Sequence, residues 1–346
     1  MNHRLPAEWE SQDGILLAWP HEKSDWAPLL SEVEKTYELL IAAITRFEKA
    51  VVIVPEGRSK LLRSRLLDTG SQEANLILVE LPTNDTWARD FGFLTVVDKK
   101  GRRKLLDFGF NGWGLKFVAC EDNQVNRRLF RAGLFRRGVS LSTIGLILEG
   151  GSIESDGQGT LMTTSTCLLS PNRNPHLSRG QIERALRRYL GARRVLWVEH
   201  GYLAGDDTDS HIDTLARFAS PKMILYVSCE DPADEHYQAL KEMENDLKRF
   251  RTPEGRPYTL IPLPMPAARY DEEGNRLPAT YANFLFVNGA VIVPTYHDEV
   301  NDPKALRLFQ EVFPEREIIG IPALSLIKQH GSIHCVTMQI PQGVLV

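Results

Sequence analysis

Apolar residues recur along this chain in two periods, and the switching between them divides it into similar units. Leu30, Val33, Tyr37, Leu40, Ile41, Ile44 and Phe47 fall at helical spacing and predict an amphipathic helix with one buried face. Val51-Val52-Ile53-Val54, closed by Pro55-Glu56-Gly57, reads as a buried strand. A short helix around Leu61 to Leu67 stops at Gly70, and Leu76-Ile77-Leu78-Val79 is the next strand. Phe93 to Val97 and Leu105 to Phe110, on either side of a polar turn at Gly101, predict a hairpin. A second hairpin opens at Glu149-Gly150-Gly151-Ser152-Ile153, turns at Asp156-Gly157-Gln158-Gly159 and returns through Thr160 to Leu168. Its helix has Ser178 as N-cap, Gln181 completing a capping box and Gly191 beyond the end; Val195 to Val198 is the closing strand. A third hairpin starts at His211 and returns through Met223 to Val227. A helix with Leu240, Met243, Leu247 and Phe250 on one face follows, then a strand from Tyr258 to Ile261. Tyr281 to Phe284 opens a fourth, turning at Asn288-Gly289, a strong hairpin signal. Asp302 with Pro303 starts its helix and Pro314 ends it; Ile333 to Thr337 opens one last strand.

Hairpin, helix and strand thus repeat at a spacing of roughly 50 to 70 residues. The last strand needs the N-terminal helix and strands to complete its unit, so the chain is expected to close on itself. The predicted architecture is an α/β propeller of about five units, with residues 1–346 as one domain. A doubly wound sheet fits less well, because the hairpins are antiparallel and no Gly-x-Gly-x-x-Gly loop follows a strand.

Composition narrows the function. The 346 residues are 42% apolar and 25% charged, enough for a substantial core. A net charge of −4 argues against nucleic acid or an anionic membrane as partner and mildly suits a cationic small molecule. No apolar run is long enough to span a bilayer, and Met1 to Pro6 lacks a signal-peptide pattern. Cys120, Cys167, Cys229 and Cys335 are scattered with no C-x-x-C pair, which points to a reducing, cytoplasmic setting and away from structural zinc. At most one of the four needs to be reactive; the others read as small buried hydrophobes.

The densest chemistry lies in Gly205-Asp206-Asp207-Thr208-Asp209-Ser210-His211-Ile212-Asp213. On a strand, His211 and Asp213 would share a face. Alone, the stretch could be an Asp-rich turn with a solvated histidine, or a metal-binding module built on Asp207, Asp209, His211 and Asp213. The repeat changes the weighing: Asp90, Glu149, His211 with Asp213, and Cys335 each stand where the first strand of a unit begins. Equivalent positions in a ring of units face one axis, bringing three carboxylates, an imidazole and a thiol together. Carboxylates oppose ionisation of a thiol until a cation arrives. A guanidinium is planar, always charged and matched to carboxylates by paired N–H donors. Asp90 and Asp213 would grip it over Cys335, His211 would shuttle protons and Glu149 would orient His211. That chemistry displaces ammonia, leaves a covalent thiouronium on Cys335 and ends in hydrolysis, with no metal or organic cofactor. Trp87 could stack on the substrate, and Asp206, Asp207 and Asp209 could sense a distal ammonium or cap their turn.

The segments Asn84-Asp85-x-Trp87-x-Arg89-Asp90-x-Gly92, Leu148-Glu149-Gly150-Gly151-Ser152-Ile153, Asp206-Asp207-Thr208-Asp209-x-His211-Ile212-Asp213 and Gly331-Ser332-Ile333-His334-Cys335-Val336-Thr337 resemble the agmatine deiminase / bacterial-type peptidylarginine deiminase family. So do Pro6-Ala7-Glu8-Trp9-Glu10 and Ala18-Trp19-Pro20. The resemblance runs nearly end to end. It implies the pentein fold, Cys335 as nucleophile, His211 as general acid and base with Glu149 beside it, and Asp90 and Asp213 as guanidinium ligands. It implies hydrolysis of agmatine to N-carbamoylputrescine and ammonia, on a route to putrescine, with a small guanidine as partner and a homodimer left open. Peptidyl-arginine and free arginine are rival substrates, the latter needing Arg89 or Arg217 for its carboxylate; amidinotransfer differs only in acceptor. Two departures stand out: Gln329-His330 precede Gly331 where the family favours glycines, and the Pro264 to Pro278 segment is short. His334, on a strand, would face away from Cys335 and pack; His200, His297 and His330 read as ordinary.

Overall fold

The computed structural model describes residues 3–346; Met1 and Asn2, the start of the stretch read above for a leader pattern, lie outside them. Five separate small sheets carry the strands. In three of them an antiparallel hairpin is joined through a helix to a strand that returns parallel. Ala216–Ser220, Met223–Val227 and Thr259–Leu263 form one, with the helix Tyr237–Arg249 in the crossover. Leu285–Val287, Ala290–Thr295 and Glu317–Pro322 form another around Asn301–Val312. Glu154–Ser155, Thr160–Thr164 and Arg194–Val198 form a third around Arg179–Leu190. Leu94–Asp98, Arg103–Gly109 and Ser140–Ile147 repeat the order, with His3–Arg4 added at the edge. The fifth sheet joins the chain's two ends: Met338–Pro341 runs antiparallel to Gln12–Ala18, which continues in parallel to Lys49–Val54 and Leu76–Glu80.

Local signals account for these elements. Ser178 and Gln181 make the expected capping box, and the helix behind them buries Ile182, Leu186 and Leu190, four residues apart, so one stripe faces the core. Asn288-Gly289 turns the fourth hairpin, with Val287 paired to Ala290. Lys49–Val54 is buried on both faces from Ala50 onward, as a continuous β-branched run should be. No helix among the described residues is long and apolar enough to cross a membrane.

The structure departs from the pattern where the units begin. His211 and Asp213 do not start a strand: Ile212–Thr214 is a single 3₁₀ turn and the strand begins at Ala216. Ile333 to Thr337 is likewise a turn, and the last strand begins at Met338. Asp90 sits in the helical turn Ala88–Phe91, and Glu149 immediately precedes the turn Gly150–Ser152. Alternation of side chains therefore does not bring the site together. Short helical turns at the heads of the strands do, by packing on one another, and their apolar residues imitate a strand because they are buried among the same neighbours. The expected return strand to Leu168 also stops at Thr164, whose hydroxyl caps the turn Ser165–Leu168. Of the cysteines outside the site, Cys120 is exposed rather than buried.

Candidate active site

Gly151 marks the centre. Its amide donates to Asp90 Oδ1 at 3.0 Å. A Cβ placed on it would lie 2.6 Å from His211 Nδ1, 2.9 Å from Asp90 Oδ1 and 3.1 Å from Asp213 Oδ2. Only a glycine lets three functional side chains from three distant segments close around one backbone unit.

Cys335 is buried, with Sγ 3.3 Å from Asn283 Oδ1 and 4.0 Å from Asp213 Oδ2. Asn283 also accepts from the amides of His334 and Cys335, at 2.9 and 3.2 Å, so one amide side chain sets the shape of the nucleophile's turn. Burial pushes the Cys335 thiol well above its ordinary value, and the charges of Asp213 and Asp90 push it further. Asp90 accepts from Trp113 Nε1 at 3.0 Å on its second oxygen. Burial drives Asp90 up to about 6, against the opposing pull of His211.

His211 is fully buried, and neither ring nitrogen meets a hydrogen-bond partner among the described residues, though Cys167 and Glu149 approach the ring within 4.8 Å. Nδ1 lies 3.6 Å from Asp90 Oδ1, near enough for charge attraction and too long for a hydrogen bond. Burial works against the imidazolium, but Asp90, Cys167 and Glu149 outweigh it and hold His211 well above its usual range. Glu149 is pinned by Arg173, whose Nε donates to both carboxylate oxygens at 2.8 and 3.0 Å. Arg173 also reaches Asp209 and the Thr208 carbonyl, locking the acidic loop to the site.

Asp213 is the most constrained of the acids. Its Oδ2 lies 2.6 Å from His334 Nδ1, while Oδ1 is buried with no hydrogen-bond partner among the described residues. His334 Nε2 lies 2.6 Å from Glu8 Oε2, and Arg217 donates to that same oxygen at 3.0 Å and to Glu154. Burial alone would raise Asp213, yet the hydrogen bond and charge of His334 hold it below the usual carboxylate range. His334 is therefore no packing residue. It faces Asp213 because the turn at Cys335 does not alternate as a strand would.

Cys335 and Asp90 line a pocket together with Trp87, Trp113, Phe117, Asp25, Asp85, Asp207 and His330; Asp85 there accepts from Trp26 Nε1 at 2.9 Å and from the Thr86 amide at 2.7 Å. Trp87 forms one wall and packs on Trp26, ring centroids 5.6 Å apart. A Cβ on Gly331 would lie 2.0 Å from the Trp87 ring, so this glycine lets the backbone press against the indole. Asp85 is pushed up to about 6 by burial. Asp207 is raised as well, first by burial and then by Asp206, while the positive charge of His330 in its protonated form pulls the other way. No lysine or arginine lines the pocket among the described residues. Arg89 and Arg217, considered above for a carboxylate, lie beneath the site and are engaged with Glu8 and with backbone carbonyls.

The metal alternative does not gather as a set. Asp209 is occupied by Lys116 and Arg173, and Asp213 by His334. The donors that do approach one another are Glu149, Cys167 and His211, within 4.8 Å, and both oxygens of Glu149 already face Arg173. The sequence carries no signal for Asn283, Arg173 and Trp113, which lie in no cluster of chemistry-bearing residues, and shows Glu8 only within its N-terminal motif; Arg217, a candidate there for a substrate carboxylate, instead holds Glu8 and Glu154.

Residues 4–341 match the family model of the Porphyromonas-type peptidyl-arginine deiminases. The chain is 35% identical to an agmatine deiminase of Pseudomonas aeruginosa, over 98% of its own length and 95% of that protein. A Porphyromonas gingivalis structure described provisionally as an arginine deiminase is 50% identical, with a TM-score of 0.92, covering 99% of this chain and 100% of that one. A cysteine-to-serine variant of C. jejuni agmatine deiminase with substrate bound is 40% identical, with a TM-score of 0.89, covering 99% and 97%. With both the full-length match and the shared architecture in hand, this chain belongs to the Porphyromonas-type peptidyl-arginine deiminase family.

Proposed function

We propose that the protein is a hydrolase that deiminates agmatine to N-carbamoylputrescine and ammonia in a reducing, cytoplasmic setting. We propose too that its five sheets stand around one axis as the five-fold pentein propeller, with the turns at the strand heads lining that axis. One observation carries the substrate reading: the pocket above the thiol holds four carboxylates, Asp25, Asp85, Asp90 and Asp207, and neither lysine nor arginine. It suits a ligand cationic at both ends and, among the described residues, offers no lysine or arginine to the carboxylate of free arginine.

Asp90 and Asp213 take the guanidinium between them, the unpartnered Oδ1 of Asp213 supplying one acceptor. Trp87 and Trp113 hold it flat against the pocket wall. The arriving positive charge offsets the acids that keep Cys335 protonated, and the thiol proton leaves to solvent. Sγ then bonds to the central guanidine carbon. His211, held protonated by its acidic neighbours, gives its proton to the departing nitrogen, which leaves as ammonia. The cysteine thiouronium remains. His211, now neutral, takes a proton from water as the water oxygen attacks that carbon, and the C–S bond breaks to release the urea product. Glu149, fixed by Arg173, keeps negative charge beside His211 through both halves. Asp207, with Asp25 and Asp85, meets the distal ammonium.

The test is ammonia release from agmatine, arginine and a peptidyl-arginine, by the protein and by Cys335→Ser. Agmatine should be turned over fastest, with a loss of roughly three orders of magnitude or more in the serine variant, since a hydroxyl without a dedicated base is a weak nucleophile. Equal rates in the two proteins would remove the mechanism, and faster release from arginine would remove the substrate.

A further inference from the structure

The turn that delivers Cys335 carries a side chain where the backbone favours none. The short helix Leu324–Ile327 ends with the amides of Gln329 and His330 donating to Leu326 and Ile327, and His330 itself has φ +67°. That is the left-handed position at a helix end, which glycine fills without strain. His330 stays there with its ring fastened: Nδ1 lies 2.7 Å from the Gly205 carbonyl oxygen. A carbonyl oxygen only accepts, so Nδ1 carries the hydrogen, and Nε2 of the neutral ring is left as an acceptor. That second nitrogen has no hydrogen-bond partner among the described residues. The ring lines the pocket that also holds Cys335, Asp25, Asp85 and Asp207, and Asp207 is close enough to feel its charge when the ring is protonated.

We infer that His330 is a specificity-determining residue: its Gly205-anchored ring presents Nε2 as a directional acceptor to the cationic end of the substrate, opposite the guanidinium. The inference rests on the deiminase reading above and names what reads the substrate's far end. Asp207 attracts any cation from any direction. A fixed imidazole lone pair adds a direction, and it rewards an N–H donor at one distance from the reacting carbon. A carboxylate at the same place would meet a lone pair and the charge of Asp207 together. The ring also explains why the turn tolerates left-handed strain at a residue with a side chain.

The probe pair is agmatine and 1-butylguanidine, which share the guanidinium and the four-carbon chain and differ by the terminal ammonium. The protein should prefer agmatine in kcat/KM. His330→Gly, which suits the backbone and so keeps the fold, should cut that preference about tenfold, the effect lying in KM for agmatine more than in kcat. His330→Gln, which restores an amide acceptor, should recover part of it. An unchanged preference in His330→Gly, or an equal fall for both guanidines, overturns the inference and leaves the deiminase reading standing. No ammonia from either compound with the unaltered protein overturns the deiminase reading and the inference with it.

Discussion

Two buried imidazoles lie on either side of Asp213 and its neighbours, and their surroundings could hardly differ more. His334 has both ring nitrogens 2.6 Å from carboxylate oxygens, one of Asp213 and one of Glu8. His211, equally buried, has neither nitrogen bonded. Two hydrogen bonds in a line need two protons shared among Glu8, His334 and Asp213, so that row is committed. Beneath it Arg89 and Arg217 set their charges against Glu8 and Glu154. An unbonded buried imidazole is expensive, and a fold retains one where the missing partner arrives from outside. The comparison teaches that a histidine beside a carboxylate is not by itself a proton-transfer group: in the mechanism proposed above the bonded ring is assigned to positioning an acid and the unbonded one to moving protons.

The strongest way to break this contrast is to exchange the effects of the two residues. His211→Gln should leave thermal unfolding close to that of the unaltered protein while lowering ammonia release roughly a thousandfold. His334→Ala should do the reverse in emphasis. It leaves Glu8 and Asp213 without their shared partner, which should cost about 3–5 kcal/mol in a denaturant titration. Turnover should fall by about a hundredfold as Asp213 loses its orientation. His334→Gln should return part of that stability. A stable His334→Ala beside an unfolded His211→Gln would invert the assignment.

A finer probe addresses the Cys335 thiol, which lies beside Asn283 and Asp213. With Cys335 raised by burial and by Asp213 and Asp90, the thiolate is scarce at neutral pH and grows only as pH climbs through the raised value. Iodoacetamide labelling, read at the Cys335 peptide to exclude the exposed Cys120, should be slow at pH 7. It should still be accelerating above about 9.5, where a thiol of ordinary value (about 8.5) has nearly levelled off. A plateau below that pH would mean the acids do not suppress the thiolate in the empty site.

Much of this was legible in the chain itself. The capping box at Ser178 and Gln181, the Asn288-Gly289 turn and the buried run Val51 to Val54 are short-range features, and each folded as read. The reactive residue types stand at the heads of successive units, and that spacing singled out Asp90, Glu149, His211, Asp213 and Cys335. The strand assignment failed at three of those heads, Glu149, His211 and Cys335, because a buried turn and a buried strand show the same apolar density over five residues. His334 was misjudged as a direct consequence: facing was argued from alternation that the turn does not have.

What the sequence determined alone is therefore what neighbouring residues settle between themselves, through backbone hydrogen bonds and the period of apolar side chains. Only the tertiary structure decided which charge meets which. Asp213 and His334 are 121 positions apart, and Glu8 and His334 are 326 apart. Pairing of buried ionised groups is governed by distance in space and by exclusion of water, neither of which leaves a mark on the order of residues along the chain.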